Sequence, residues 1–196
     1  MHVTYFFNGG VEKPHVGEDF FIIPSQKVES YASVPQMSSP IIRDEVVRRV
    51  KAYDVYNYKF ILINFANPDM LGHTGNYDAT VRGNEIVDSL TADISKAVLS
   101  MGGAIVITAD HGNCETMINR VTKEVDIAHT NNPVPLIILS SMDDIVPKVG
   151  THLVKVGTGP RAQTTGLLAD VAPTCLGLLG LDAPESMTGI DLRNII

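Results

Sequence analysis

The sequence predicts an α/β domain, a three-layer α/β/α sandwich, and three observations carry that prediction. Short apolar runs alternate with amphipathic stretches along the whole chain. Residues 59–65 (KFILINF) are almost continuously apolar, the pattern of a parallel strand covered on both faces, and 104–108 (AIVIT) reads as the next buried strand. Between them lies one long stretch of helical period.

In chain order, residues 3–7 are β-branched and aromatic and stop at Asn8-Gly9-Gly10, which predicts a buried strand ending in a tight loop. A second short strand is expected over 19–23, stopped by Pro24, and residues 26–40 show no clean period and read as loop. Ser39-Pro40 opens a helix running to about Tyr53, with proline in its first turn. The charged stretch from Arg43-Asp44-Glu45 to Arg48-Arg49 reads as its solvated face. After the strand at 59–65, the clearest helix spans 77–101: Val87, Leu90, Ile94, Ala97, Val98 and Met101 recur at spacings of three and four and share one face. Gly102-Gly103 ends it. Strands follow at 104–108 and 134–139, then a helix over 167–179 ending at Gly180, and a plain tail at 191–196.

The composition narrows the function. The 196 residues are 44% hydrophobic and 19% charged, with a net charge of −7, so the chain can build a core and is not a disordered segment. The acidic balance argues against a nucleic-acid binder, which would need lysine and arginine against phosphates. No apolar run approaches the roughly 18 residues of a membrane-spanning helix. Residues 1–7 lack the flanks of a signal peptide, and Cys114 and Cys175 have no framework spacing; both features predict a cytoplasmic protein with reduced thiols. Walker A, G-x-G-x-x-G and H-E-x-x-H motifs are absent from the sequence.

In open α/β sheets chemistry collects at strand ends. Asn67-Pro68-Asp69-Met70-Leu71-Gly72-His73 follows the run at 59–65, Asp110-His111-Gly112 follows 104–108, and Ala128-His129-Thr130 precedes 134–139. Each has a plain reading: an Asp69–His73 hydrogen bond, a turn at Asp110, a structural His129. Together, Asp69, His73, Asp110, His111 and His129 offer carboxylate and imidazole donors on one expected rim, a set suited to Mn²⁺ or Zn²⁺. Five donors exceed one tetrahedral site and point to two metals roughly 3.5–4 Å apart. His2 begins a strand and reads as a core or terminal histidine, His15 and His152 read as solvated, and Cys114 as a bystander thiol.

The motifs HVTYFFNGG (2–10), EDFFIIPSQKVESYASVPQMS (18–38), NFANPDMLGHTGN (64–76), ITADHGNCE (107–115), AHTNNPVP (128–135) and LLADVAPTCLGLLGLDAPESMTGIDL (167–192) occur in one order over nearly the whole chain. In them the chain resembles the C-terminal part of cofactor-independent phosphoglycerate mutase, in the alkaline phosphatase superfamily. The resemblance implies a phosphatase-like α/β domain and transfer of a phosphoryl group between 3- and 2-phosphoglycerate through a serine, with two Mn²⁺ ions or other divalent metals. It implies that Asp69, His73 and His129 ligate one metal, and that Asp110 and His111 are half of the second set. The family's serine nucleophile, a further aspartate, an active-site lysine and the inserted transferase domain have no counterpart in residues 1–196. Ser25, Ser38 and Ser39 do not match the nucleophile's context. The chain would then carry one complete metal site, no catalytic residue of its own and no activity in isolation. A non-catalytic metal-binding or interaction module, or another phosphomutase or phosphatase of the superfamily, are the competing readings.

The resemblance describes the full-length enzyme as a monomer, whereas this segment would expose a sheet edge and apolar helix faces, surfaces that favour self-pairing. The expected outcome is a concentration-dependent mass by light scattering. A mass that stays at one chain at high concentration rejects it.

Overall fold

The structure, a computed structural model, describes residues 2–119, 121–140 and 166–194; the loop assigned to His152 lies outside them. The chain is α/β and forms two compact units, Met1–Thr91 and Ala92–Ile196. Among the described residues no helix is long and apolar enough to cross a membrane.

In the unit Met1–Thr91 the helices are α1 (Ser39–Lys51), α2 (Tyr53–Tyr56), α3 (Asn67–Gly72) and the start of α4 (Tyr77–Ser100). Proline in the first turn pre-sets the helical φ of both α1 and α3. The join between them is polar and buried. Asn67 donates through Nδ2 to the Pro35 carbonyl at 2.7 Å and to Ser39 Oγ at 3.3 Å, while Ser39 donates to the Gln36 carbonyl at 2.6 Å. Ser38 donates to the Pro24 carbonyl at 2.9 Å, so both serines serve the fold. Leu71 is completely buried, which contributes about 1.5–3 kcal/mol. It fills the space beside Gly83 of α4, where an added Cβ would sit 2.1 Å from Leu71 Cδ1.

Three expected strands do not form in this unit. Residues His2–Phe6 make a single turn of π-helix, and 19–23 and 59–65 have no regular structure. A strand exists only through its ladder, and β propensity measures fit to a pleated surface that a neighbour provides. Among the described residues the only ladder lies in the other unit. At the start of the chain the backbone therefore bonds locally, with Asn8 N–H donating to the Thr4 carbonyl at 2.9 Å and Gly10 N–H to that of Tyr5 at 2.9 Å. Phe60, Ile61 and Leu62 remain 44%, 37% and 39% exposed rather than covered on both faces.

The charged face of α1 also differs from expectation. Arg49 is largely covered, its guanidinium lying over the rings of Phe21, Tyr56 and Tyr58 at 4.7, 5.1 and 5.7 Å. Glu45 accepts from Arg48 at 2.6 Å and from Arg49 at 2.5 Å.

The unit Ala92–Ile196 holds the rest of α4, strands β1 (Ala104–Thr108) and β2 (Leu136–Ser140), and α5 (Val171–Leu178). α4 matches its expected span. Leu90, Ile94 and Ala97 are buried, but Met101 lies past the last turn and is exposed. Gly102 supplies the positive φ of 76°, and Gly103 N–H closes on the Val98 carbonyl at 3.0 Å. β1 and β2 pair antiparallel, from Ala104 opposite Ser140 to Thr108 opposite Leu136, instead of joining a parallel sheet. The expected last helix is a 3₁₀ turn, Leu168–Asp170, running into α5. The tail is not plain: Leu192 is buried, its N–H donating at 3.0 Å to Thr174 Oγ1, and Asp170 accepts from Leu167 and Ile190 N–H at 2.7 and 2.8 Å.

The α1 network should be acid-sensitive. Hydrogen bonding from Arg48, opposed by burial and reinforced by Arg49, lowers the Glu45 carboxyl from 4.5 to about 2. Its folded value lies below the unfolded one, so its contribution is present above pH 4.5 and lost as the pH falls through 2. Glu45→Gln should lower the melting temperature at pH 7, and the gap from wild type should close between pH 4.5 and 2. A gap independent of pH would contradict this account.

Candidate metal centre

In the unit Met1–Thr91, the donors stand on α3. Asp69 lies in its first turn and His73 is the residue that caps its C-terminus. One helical turn separates them, so the two side chains share a face, with Asp69 Oδ1 3.1 Å from His73 Nε2. Both are about one-third exposed. The backbone repeats the tie, His73 N–H donating to the Asp69 carbonyl at 3.0 Å. These residues follow an irregular segment rather than a strand, and it is the buried Asn67 and Leu71 of the same helix that fix their direction.

In the unit Ala92–Ile196, the donors stand on the connection between β1 and β2. The register Thr108–Leu136 places the end of β1 beside the start of β2, so Asp110 and His111 leave where the chain carrying His129 arrives. Two isolated antiparallel bridges extend this pairing outward, Gly112 with Thr130 and Ile118 with Val125. Three residues lie between Thr108 and Gly112, while five lie between Thr130 and Leu136. The longer arm therefore bulges at 131–135, and bulges characteristically re-aim side chains beside active sites.

The bulged hairpin stacks two imidazoles. The His111 and His129 rings lie 3.8 Å apart between centroids and 19° from parallel. His111 Nδ1 is 3.3 Å from the Gly112 carbonyl, and its Nε2 is 3.7 Å from Asp110 Oδ1. His111 is half-buried, whereas Asp110 and His129 are exposed. Gly112 has a steric reason to be glycine, since a Cβ there would meet Thr130 Oγ1 at 2.3 Å and Glu115 Oε1 at 2.6 Å.

All five expected residues thus lie in donor groups, Asp69 with His73 in one unit and Asp110, His111 and His129 in the other. Carboxylate oxygens and imidazole nitrogens without thiolate suit a divalent cation of the Mn²⁺, Co²⁺ or Zn²⁺ kind. Cys114 and Cys175 are half-buried and form no disulfide, and burial pushes the Cys175 thiol up, away from the reactive thiolate.

One residue of the site was not singled out from the sequence. Glu115 accepts from Asn113 N–H at 2.7 Å through Oε2, and from Asn132 Nδ2 at 2.9 Å and the Thr130 hydroxyl through Oε1. Burial pushes its carboxyl up, but the bonds from Thr130, Asn132 and the backbone outweigh that and leave it below the ordinary glutamate value. The signal was a glutamate four residues past His111 in ITADHGNCE, together with the polar Thr130-Asn131-Asn132 beside His129.

An α/β chain with these donor groups is a metal-binding class of protein, and the chain belongs to the Metalloenzyme superfamily, matched over residues 1–183. More particularly, it is similar to 2,3-bisphosphoglycerate-independent phosphoglycerate mutases. It is 44% identical over 195 residues to that of Clostridium tetani, covering all of this chain and 34% of the relative. It is 45% identical over 191 residues to that of Thermomicrobium roseum, covering 97% of this chain and again 34% of the relative. Among solved structures it resembles Leishmania mexicana phosphoglycerate mutase at low cobalt concentration, with a TM-score of 0.77 and 34% identity over 97% of this chain and 34% of that one. The chain spans about a third of the length of the curated relatives it matches.

Gly112→Ala should force Thr130 and Glu115 aside, at a cost of about 1–3 kcal/mol for overpacking, and should separate the stacked rings. Urea denaturation together with histidine ring proton shifts would measure both. Unchanged stability and shifts would show that the contact at Gly112 is not tight.

Proposed function

We propose that the chain is the metal-bearing segment of a 2,3-bisphosphoglycerate-independent phosphoglycerate mutase, working in the interconversion of 3- and 2-phosphoglycerate. The observation that carries the proposal is the span of the likeness, 44% identity over 195 residues to a mutase of that name. The donor chemistry agrees with it. In this reading residues 1–196 are the C-terminal part of a phosphatase domain. Asp69, His73 and His129 hold one divalent cation, Mn²⁺ by preference, and Asp110 and His111 contribute to a second.

When bound, such ions stabilise phosphoryl oxygens and activate the attacking group electrostatically. The chain's own residues do the holding. Asn67 and Leu71 anchor α3, so that Asp69 and His73 present one oxygen and one nitrogen from one face. The β1–β2 hairpin presents His111 and His129 together. Ser38 and Ser39 are committed to backbone carbonyls and do not act as nucleophile. The phosphoryl-accepting serine belongs to the two-thirds of the enzyme that this chain does not represent. The same reading puts the chain among cytoplasmic glycolytic enzymes, with phosphoglycerate as the full enzyme's substrate.

Calorimetric titration with Mn²⁺, with Asp69→Ala as control, tests this. One bound ion is expected, weakened in the variant by at least the roughly 10–100-fold that loss of even an outer partner costs. Mutase turnover should be absent from the chain alone and appear on mixing with the serine-bearing amino-terminal part of a relative. Two tight ions in the isolated chain, or unchanged binding in Asp69→Ala, would overturn the assignment of sites.

A further inference from the structure

We infer that Glu115 is a positioning residue: it clamps the arm carrying His129 onto the arm carrying His111 and so keeps the two imidazoles in register. One carboxylate serves both arms of the hairpin. Oε2 takes the Asn113 N–H at 2.7 Å, on the arm of His111. Oε1 takes the Thr130 hydroxyl and Asn132 Nδ2 at 2.9 Å, on the arm of His129. Thr130 directly follows His129, and its N–H donates to the Gly112 carbonyl at 2.8 Å, beside His111.

The arrangement is needed because the ladder has slipped. Between Thr108–Leu136 and Gly112–Thr130 the arms carry unequal numbers of residues, so the bulged arm lacks regular partners. Asn132 lies in that bulge. Its Nδ2 reaches Glu115 and also, at 3.3 Å, Thr116 Oγ1, and its N–H donates to Thr130 Oγ1 at 3.3 Å. Side-chain bonds replace the missing ladder, and an ionised acceptor makes the strongest of them. Glu115 stands outside the donor sets assigned above and acts through Thr130 and Asn132 rather than on any ion. Its purpose rests on the metal-centre reading, while its geometry rests on these hydrogen bonds alone.

The test uses the whole chain and two readouts. The first needs no metal: the nuclear Overhauser contact between the His111 and His129 ring protons, and their mutual ring-current shifts. The second is Co²⁺ affinity followed by visible absorption. Glu115→Ala should lose the ring contact, keep the methyl signals of β1 and β2, and weaken Co²⁺ by roughly 10-fold or more. The exchanged pair Glu115→Gln with Asn132→Asp should recover both readouts, because the amide at 115 then donates to the carboxylate at 132 while its oxygen still faces Asn113 N–H. If Glu115→Ala unfolds the chain, Thr130→Val removes one donor and should give the same loss in milder form.

The clamp is rejected if Glu115→Ala leaves the ring contact unchanged, or if the exchanged pair recovers nothing. Should the wild type take up no Co²⁺ while the ring contact responds as described, the metal reading fails and the clamp stands.

Discussion

Thr108 sits opposite Leu136, and from that pairing the geometry of the described residues between them, 109–119 and 121–135, follows. A connection of this length between two strands would normally be mobile or functional. Here it is folded as a continuation of the hairpin, with bridges at Gly112–Thr130 and Ile118–Val125, and with Asp126 N–H donating to the carbonyl of the buried Met117 at 2.9 Å. Shifting the β1–β2 pairing by one residue would turn every side chain to the other face. The buried Leu136 and Ile138 forbid that. The core therefore sets the register, the register sets which arm bulges, and the bulge brings His129 against His111.

In the unit Met1–Thr91 a buried amide has the comparable role. Asn67 cannot be left without partners inside the fold, and its bonds to Pro35 and Ser39 settle where α3 begins. From there helical period does the rest. Leu71 points inward against Gly83, while Asp69 and His73 point to the partly exposed face. In both units buried residues fix the backbone from which the donors project, Asn67 and Leu71 on α3 and Leu136 and Ile138 on β2.

Some of this was legible in the sequence for a physical reason. Helical period is a local property, so α4 could be placed almost to the residue, as could its glycine stop. β1 was recovered in full and β2 within two residues at each end. The segments at 3–7, 19–23 and 59–65 were misread because an apolar run reports a demand for cover, not the presence of a ladder partner. Parallel pairing was inferred from continuous apolarity, which an antiparallel pair with a covered face can also show. Asp69, His73, Asp110 and His111 stood out because Asp-x-x-x-His and Asp-His-Gly concentrate carboxylate and imidazole groups in few residues. Arg49 and Glu115 did not, since their roles depend on partners 7 to 28 positions away that nothing local announces.

Glu115 shows why such a residue matters although it is exposed. Stacked imidazoles do not attract one another strongly, and a bulged loop gives them many alternative placements. Ordering them costs conformational entropy that any ligand binding there would otherwise have to offset. A carboxylate that collects a backbone N–H, a hydroxyl and an amide from two arms meets that cost beforehand, with bonds strengthened by its charge. The arrangement also explains the glycine at 112. Clamp and bridge converge on the same point, and only a residue without a side chain leaves room for Thr130 Oγ1 and Glu115 Oε1 to meet there. Steric, electrostatic and entropic requirements thus fall on one short motif, so damage to Gly112, Glu115 or Thr130 should reach His111 and His129 before it reaches the core.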